Sequence, residues 1–279
     1  MIITTEIPPL KILAPFVRCY SLREFDTKGV ALTKPFHAPH EMSMCFFFKA
    51  KPVQLVDRQT NKIVKEGSYA AIVGMGTQYN GEMTFNGCYS IFEIVFKPCG
   101  LEIFDFSSSE IINLIVDLDI IFDSSIKTFY DKLCEATGLQ AMASLSNDFL
   151  LQNLKKRKNL DGSNGIAWVS NSIVKSPCSV DMDKAAYDVN MSLRTFERRF
   201  TAQVGIPPKT FSCIARFNHA FADKLKNPTK DWTSIASEYG YYDQNHLIKD
   251  FNRFAGTSPK TFLKQTPLAV ERFSNRVEA

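Results

Sequence analysis

Only four histidines occur in this chain of 279 residues, so histidine-rich metal chemistry has little to draw on. His37 and His40 stand close together in PFHAPHEM; His219 and His246 lie far along the chain. None of the seven cysteines, at 19, 45, 88, 99, 134, 178 and 213, falls in Cys-x-x-Cys spacing. The sequence therefore signals neither a zinc ribbon nor a disulfide framework, and a reducing cytosol is the expected home. No uninterrupted apolar run reaches the ~18 residues that a membrane span needs, so no membrane partner is expected. The opening MIITTEIPPLKI lacks a charged start followed by an apolar core, which predicts no secretory leader. Also missing are a Gly-rich phosphate loop and any Ser-His-Asp or Cys-His set. Ser108, Ser109 and Glu110 read as a helix cap, not as nucleophile and base. These absences predict a protein that is not an enzyme and needs no cofactor.

What remains is ordinary in amount and uneven in arrangement. Hydrophobic residues at 45% and charged residues at 22% fit a globular chain, and its length suits two domains. The net charge of +4 is not evenly spread. From residue 164 onward there are 16 Lys+Arg against 11 Asp+Glu, while the rest carries 17 against 18. A basic C-terminal part beside a neutral one points to a polyanionic partner, with a plain solvated surface as the bland alternative.

The patterning changes twice along the chain. Val30–Leu32, Met42–Lys49, Val53–Asp57, Lys62–Lys65, Tyr69–Val73 and Tyr89–Phe96 are short β-branched or aromatic runs between turn signals, which predicts a small sandwich or barrel. From Cys99 the spacing turns helical over Ser109–Ile121, again around Ile126–Leu133, and over Leu145–Leu154. KKRKNLDGSNG, residues 155–165, is charged and then rich in Gly, Ser and Asn, as linkers are. Beyond it seven short helices are expected: from Asn164 or Gly165 to Val174, Asp181–Val189, Ser192–Gln203, a long one after Pro207-Pro208, Asp231–Tyr239, Asp243–Ala255, and one from Ser258.

One phrase is written twice in that last part. FTAQVGIPPKTF, Phe200 to Phe211, and FNRFAGTSPKTF, Phe251 to Phe262, match in Phe, Gly, Pro, Lys, Thr and Phe at the same offsets. Each copy is preceded by two short helices and a tight turn, the minimum device for presenting a helix to a major groove. Ser192 and Asp243 are suitable N-caps of the second helices. At 100° per residue, Phe196 and Phe200 face inward with Arg194 and Arg198 opposite. In the second copy Leu247, Phe251 and Phe254 face inward, with Asn245, Lys249 and Asn252 opposite. Gly205 and Gly256 supply left-handed caps, and the Pro that follows starts the next helix. Both outward faces offer donors suited to bases or phosphate.

On these residues, 165–266 resembles the DNA-binding domain of AraC-type (AraC/XylS family) transcription regulators. DKAAYDVNMSLRTFERRFTAQVGIPPKTFSCIARFNHA resembles its first half, and IASEYGYYDQNHLIKDFNRFAGTSPKTF the signature of its second. The resemblance implies DNA contact by Arg194, Thr195, Glu197 and Arg198 in the first unit and by Gln244, Asn245 and Lys249 in the second. Glu197 departs from the basic or neutral pattern; it either accepts from cytosine N4 or pairs with a neighbouring arginine. The strand-rich part resembles the cupin-like sensor barrels of the same family. The fold class is therefore α+β in two domains: a β-rich cupin-like barrel with helices, and an all-α domain with two helix-turn-helix units. The expected division is 1–157 for sensing or dimerisation (barrel-like 1–98, helical 99–157), a linker at 158–164, the DNA-binding domain at 165–266 and a tail at 267–279.

The function implied is a cytoplasmic, sequence-specific regulator whose partner is double-stranded DNA. A small-molecule effector, a homodimer partner, and RNA polymerase for an activator are the further partners the resemblance implies. Two rival readings follow from the residues. His37, His40 and Glu41 suggest a metal-dependent cupin-type enzyme fused to a DNA-binding tail, although the spacing is His-x-x-His. An architectural DNA-binding protein without a sensor is the other. Pro98-Cys99 resembles the Pro-Cys of DNA alkyl-transfer proteins, but no His-Arg follows it.

Overall fold

Met42–Phe48 (MSMCFFF) is apolar at almost every position, which a strand requires only when both its faces are covered. The computed structural model, which describes residues 2–57, 62–104, 106–157, 164–178, 180–265 and 271–275, supplies both covers. The strands in chain order are β1 (Ile2–Ile7), β2 (Val17–Asp26), β3 (Leu32–Pro35), β4 (Met42–Phe48), β5 (Gln54–Val56), β6 (Ile63–Glu66), β7 (Ala70–Val73), β8 (Glu82–Phe85), β9 (Cys88–Phe96), β10 (Ile115–Asp117) and β11 (Glu271–Asn275). They form a seven-stranded sheet ordered β10-β7-β4-β9-β2-β1-β11 and a four-stranded sheet ordered β3-β8-β5-β6. In the larger sheet Leu22 stands opposite Phe92, and Phe92 opposite Phe46.

Alternation sorts the β4 and β9 side chains between two cores. Cys45, Phe47, Tyr89 and Ile91 point into the space between the sheets with Phe25 and Phe85. Rings there sit 5.0 to 5.5 Å apart. Phe46, Phe92 and Ile94 point the other way, beneath helices α2 (Ser125–Glu135) and α3 (Gly138–Lys156), which follow the one-turn α1 (Leu118–Ile121). Phe129 stacks on Phe149 at 4.4 Å and meets Phe46 edge-on at 5.4 Å.

Several expectations need correction. The strands β1 and β2 precede the stretch read as strand-rich, and β8 was not anticipated. Val30 belongs to a turn after Lys28 and Gly29, both at positive φ, so the strand starts at Leu32. Ser109–Ile121 is not one helix. It is a 3-10 turn at Ser108–Ile111, then β10, then α1. Asn113, at φ 61, interrupts the helical path, and the β-branched Ile115 and Val116 then pair with β7. Residues 158–163 of the expected linker lie outside the described residues, as do 266 at the end of the expected DNA-binding domain and 267–270 and 276–279 of the expected tail. Glu271–Asn275 of that tail forms β11, parallel to β1.

The C-terminal helices fall where the sequence puts them: α4 (Asn164–Lys175), α5 (Met182–Asp188), α6 (Leu193–Val204), α7 (Pro208–Lys226), α8 (Trp232–Glu238), α9 (Gln244–Ala255) and α10 (Pro259–Gln265). The overall class is mixed α+β, β-rich at the N-terminal end and helical at the other. One apolar cluster runs from Phe46 and Phe92 through Leu101 and Ile103 to Ile166, Phe200, Phe217 and Phe251, so the two ends share a buried boundary. Cys99 meets Ser170 there, Sγ to Oγ 3.8 Å.

Candidate nucleic-acid interface

Each of the two repeated helix pairs, α5–α6 and α8–α9, is built from the same local parts. Asp181 caps α5 through Asp183 N and Lys184 N, and Asp231 caps α8 through Ser234 N. Both first helices close by the same backbone bond, Met191 N to Ala186 O at 3.0 Å and Tyr241 N to Ala236 O at 2.8 Å. Asn190 (φ 55) and Gly240 (φ 66) supply the left-handed residue each turn requires. Ser192 and Asp243 then cap the second helices, accepting from Thr195 N and His246 N at 3.3 and 2.7 Å. The second turn has one residue more than the first. That residue is Tyr242, whose side chain is 93% exposed immediately before the cap of α9.

The inward faces are as the periodicity predicts. Phe196, Phe200 and Val204 of α6 are buried, as are Leu247, Phe251, Phe254 and Ala255 of α9. Arg194, Glu197 and Arg198 are exposed on α6, and Gln244, Asn245 and Lys249 on α9. Thr195 differs from the others. It is half-buried, and its hydroxyl accepts from Ser192 Oγ at 3.0 Å, so it serves the cap. Glu197 takes part in none of the ion pairs among the described residues, which leaves its carboxylate facing solvent beside the two arginines.

Behind α9 lies a polar lock that periodicity did not reveal. Arg216 on α7 donates to Asp250 Oδ2 at 3.1 Å, its Nη2 lies 3.4 Å from His246 Nε2, and its guanidinium covers the Tyr241 ring at 4.2 Å. Burial pushes the Tyr241 phenol far above its ordinary range, so it stays neutral. The spacing of His246 and Asp250, four apart on one helix edge, was the available sequence signal. The back of α6 is apolar instead, with Phe200 5.7 Å from Phe196 and 5.8 Å from Phe211.

Both second helices, α6 and α9, end on the N-terminal part. At α9, Tyr79 N donates to Arg253 O and Ala38 N to Phe254 O, each at 2.9 Å, so loops of the N-terminal part cap the helix's last carbonyls. Arg253 Nε donates to Thr77 O at 3.2 Å, and Asn218 Nδ2 of α7 to Ala38 O at 2.9 Å. Gly256, at φ 69, lies against the Tyr79 ring, where a Cβ would come within 2.5 Å of ring carbon. Gly205, at φ 95, presses on Ser108 and Ser109, a Cβ there falling 3.0 Å from their backbone.

PFHAPHEM belongs to this junction. The His37 ring meets Phe221 at 4.9 Å, and His40 lies 6.4 Å from His219. Glu41 accepts from Arg18 Nε at 2.6 Å, and Arg18 also pairs with Glu6 at 3.1 Å. No group of three or more His, Cys, Asp or Glu is arranged to hold a metal ion among the described residues. Cys99 is buried, and burial pushes its thiol up to about 12, so it carries little thiolate near neutrality. No helix among the described residues is long and apolar enough to cross a membrane.

Residues 185–265 match a family model described as a helix-turn-helix domain. No curated protein matches the chain in sequence. Solved structures similar to it include ToxT from Vibrio cholerae O395, 9% identical over 89% of this chain and 98% of that one, at a TM-score of 0.46. Another is unsaturated fatty acid bound wild-type ToxT from strain SCE256, 13% identical over 91% and 98%, at 0.47. A transcriptional regulator from Chromobacterium violaceum, described as AraC-type, is 20% identical over 40% of this chain and 99% of that one, at 0.35.

Proposed function

We propose that this chain, whose residues 185–265 match a helix-turn-helix domain, is a cytoplasmic, sequence-specific transcription regulator of the AraC type that reads two successive major grooves. The supporting observation is the pairing of two capped helices whose backs are buried and whose fronts expose Arg194 and Arg198 on α6, and Gln244, Asn245 and Lys249 on α9. B-DNA presents its major groove again about 34 Å along one face, and two readers flanking a single helix, α7, suit that repeat. Arginine suits guanine and asparagine or glutamine suits adenine, so these side chains carry base preference while neighbouring cations hold phosphate. Tyr242, exposed at the leading end of α9, joins the phosphate-facing group.

The division of labour puts sensing or dimerisation in residues 1–157 and DNA contact in 165–266, joined through 158–164. The residues that suggested an enzyme are otherwise engaged: the His37 and His40 rings lie against rings of α7, Glu41 pairs with Arg18 of β2, and Cys99 is buried as a thiol. The test is selection of bound duplexes from a random pool with the full chain, followed by titration of the selected site at rising salt. The expected log–log slope is about −4 to −6, from five or so neutralised phosphates. A pool that yields no preferred sequence, or an affinity indifferent to salt, overturns the reading.

A further inference from the structure

Three loops of the N-terminal part, residues 36–41, 74–81 and 107–114, together form the seat on which both reading helices end. Asn113 carries the side-chain tie between the loops 74–81 and 107–114, beside the backbone bond from Gly74 N to Leu114 O at 3.0 Å. Asn113 stands in the left-handed region at φ 61, which asparagine tolerates better than most residues. Its backbone N–H donates to Met75 O at 2.8 Å. Its side-chain Oδ1 accepts from Thr77 N at 2.7 Å and from Thr77 Oγ1 at 3.2 Å, while Nδ2 lies 2.8 Å from Thr77 Oγ1. Its carbonyl accepts from Asn80 Nδ2 at 3.1 Å.

The two ends of this knot lead to different readers. Thr77 O receives Arg253 of α9, and Tyr79 N caps the same helix. On the other side Ile112, next to Asn113, lies with Ser108 and Ser109 against Gly205 at the end of α6. Gly76 N to Pro39 O, at 3.0 Å, brings in the third loop, which carries Ala38.

We infer that Asn113 is a positioning residue: by stitching the seat of α6 to the seat of α9, it fixes the distance and angle between the two reading helices. This rests on the reading of both helices as DNA readers. The long helix α7 is then one of two bridges between the units, and the N-terminal part is the second. A rigid double bridge makes binding of the second groove an intramolecular step, whereas a loosened one lowers the effective concentration of the second reader.

The test uses the full chain and the duplex selected with it, in three forms: the intact site, one half-site alone, and the intact site with about five base pairs, half a helical turn, inserted between halves. Asn113→Gly keeps the backbone conformation accessible and deletes the side-chain stitch. It is expected to weaken binding to the intact site by about tenfold while changing half-site affinity by less than about twofold. It should also shrink the penalty that the insertion imposes on the wild type. Asn113→Asp, which retains an acceptor for Thr77 N–H, should recover most of the intact-site affinity. Equal weakening on the half-site and the intact site would mean simple destabilisation and overturns the assignment. Unchanged or tighter binding to the intact site overturns it as well. A wild-type chain that binds none of the duplexes would instead sink the DNA-reading proposal itself, a separate result.

Discussion

The two repeated helix pairs, proposed above to read DNA, share their punctuation and differ in how they are held. The first is held chiefly by packing: Phe196, Phe200 and Phe211 behind α6, and van der Waals contact of Gly205 with the Ser108–Ser109 backbone and Ile112. The second is bound by polar contacts of defined direction. Arg216 and Asp250 lock the back of α9, and backbone N–H groups of Ala38 and Tyr79 cap its end. Apolar contact is tolerant of small shifts, whereas a hydrogen bond weakens steeply once its angle closes. The repeat thus encodes one scaffold twice, and its surroundings make the second copy the one whose setting follows the N-terminal part.

The largest expected effects come from what the copies share. Phe200→Ala and Phe251→Ala should each destabilise the fold by about 3–5 kcal/mol, from lost burial and the cavity left behind. Phe251 touches more rings, with Trp232 at 4.9 Å and Phe217 at 5.0 Å, so its replacement should lie at the upper end. Denaturant unfolding of both variants measures this. A Phe251 variant as stable as wild type would break the comparison at its base.

Next comes the lock that only the second unit has. Asp250→Ala leaves the Arg216 guanidinium among Tyr241, His246 and Cys213 without its carboxylate, at a cost of about 2–3 kcal/mol. Asp250→Ala together with Arg216→Met should recover part of that loss, since the uncompensated charge is then gone. A double variant no more stable than the single one would show that the pair does not act as a unit.

Smaller, and confined to DNA, are the reader substitutions. Arg198→Ala on α6 and Lys249→Ala on α9 remove exposed side chains, so thermal stability should hardly change. Arg198→Ala should relax base preference by about 1–3 kcal/mol at one position. Lys249→Ala should act more evenly across sequences if it holds phosphate, lowering the salt slope by about one. An Arg198 variant that melts early would place that side chain in the scaffold.

How much of this could be read from the sequence follows the range of the forces involved. Caps, left-handed glycines and helical faces are set within a few residues, so Ser192, Asp243, Gly205, Gly256 and the outward positions of α6 and α9 were legible. The extra residue Tyr242 was overlooked because the two copies align well from the caps onward, and the one-residue shift lies before them. The strands β1 and β2 were missed because their mixed polar composition hides a burial that only their partners create; Glu6 and Arg18, for instance, are covered by pairing with each other. Asn113 was swallowed in an apparent helix of Ile and Leu, since nothing local says that its side chain will close a loop 36 residues away. The junction as a whole is a product of long-range contact, and His37 and His40 pointed to it only in being unexplained.

The smallest effect concerns that junction. His40 is half-buried, with Glu41, Arg18 and His219 as its charged or titratable neighbours and Asn218 in hydrogen-bond contact. Burial holds its pKa below the ordinary 6.5, aided by His219 and Arg18, against the opposing pull of Glu41. The folded chain therefore takes up this proton less readily than the unfolded chain. Its contribution is fully present above about pH 6.5 and is lost as the pH falls below that value towards the depressed folded one. Because His219 rides on α7 and Asn218 beside it bonds Ala38, protonation should loosen the seat of the second unit before that of the first. Unfolding midpoints between pH 8 and about pH 5.5, above the range where ordinary carboxylates titrate, should decline in the wild type and decline less in His40→Gln. Hydrogen exchange over the same range should rise at the end of α9 while the end of α6 stays protected. An equal rise at both ends would erase the distinction between a unit held by polar contacts and one held by apolar packing.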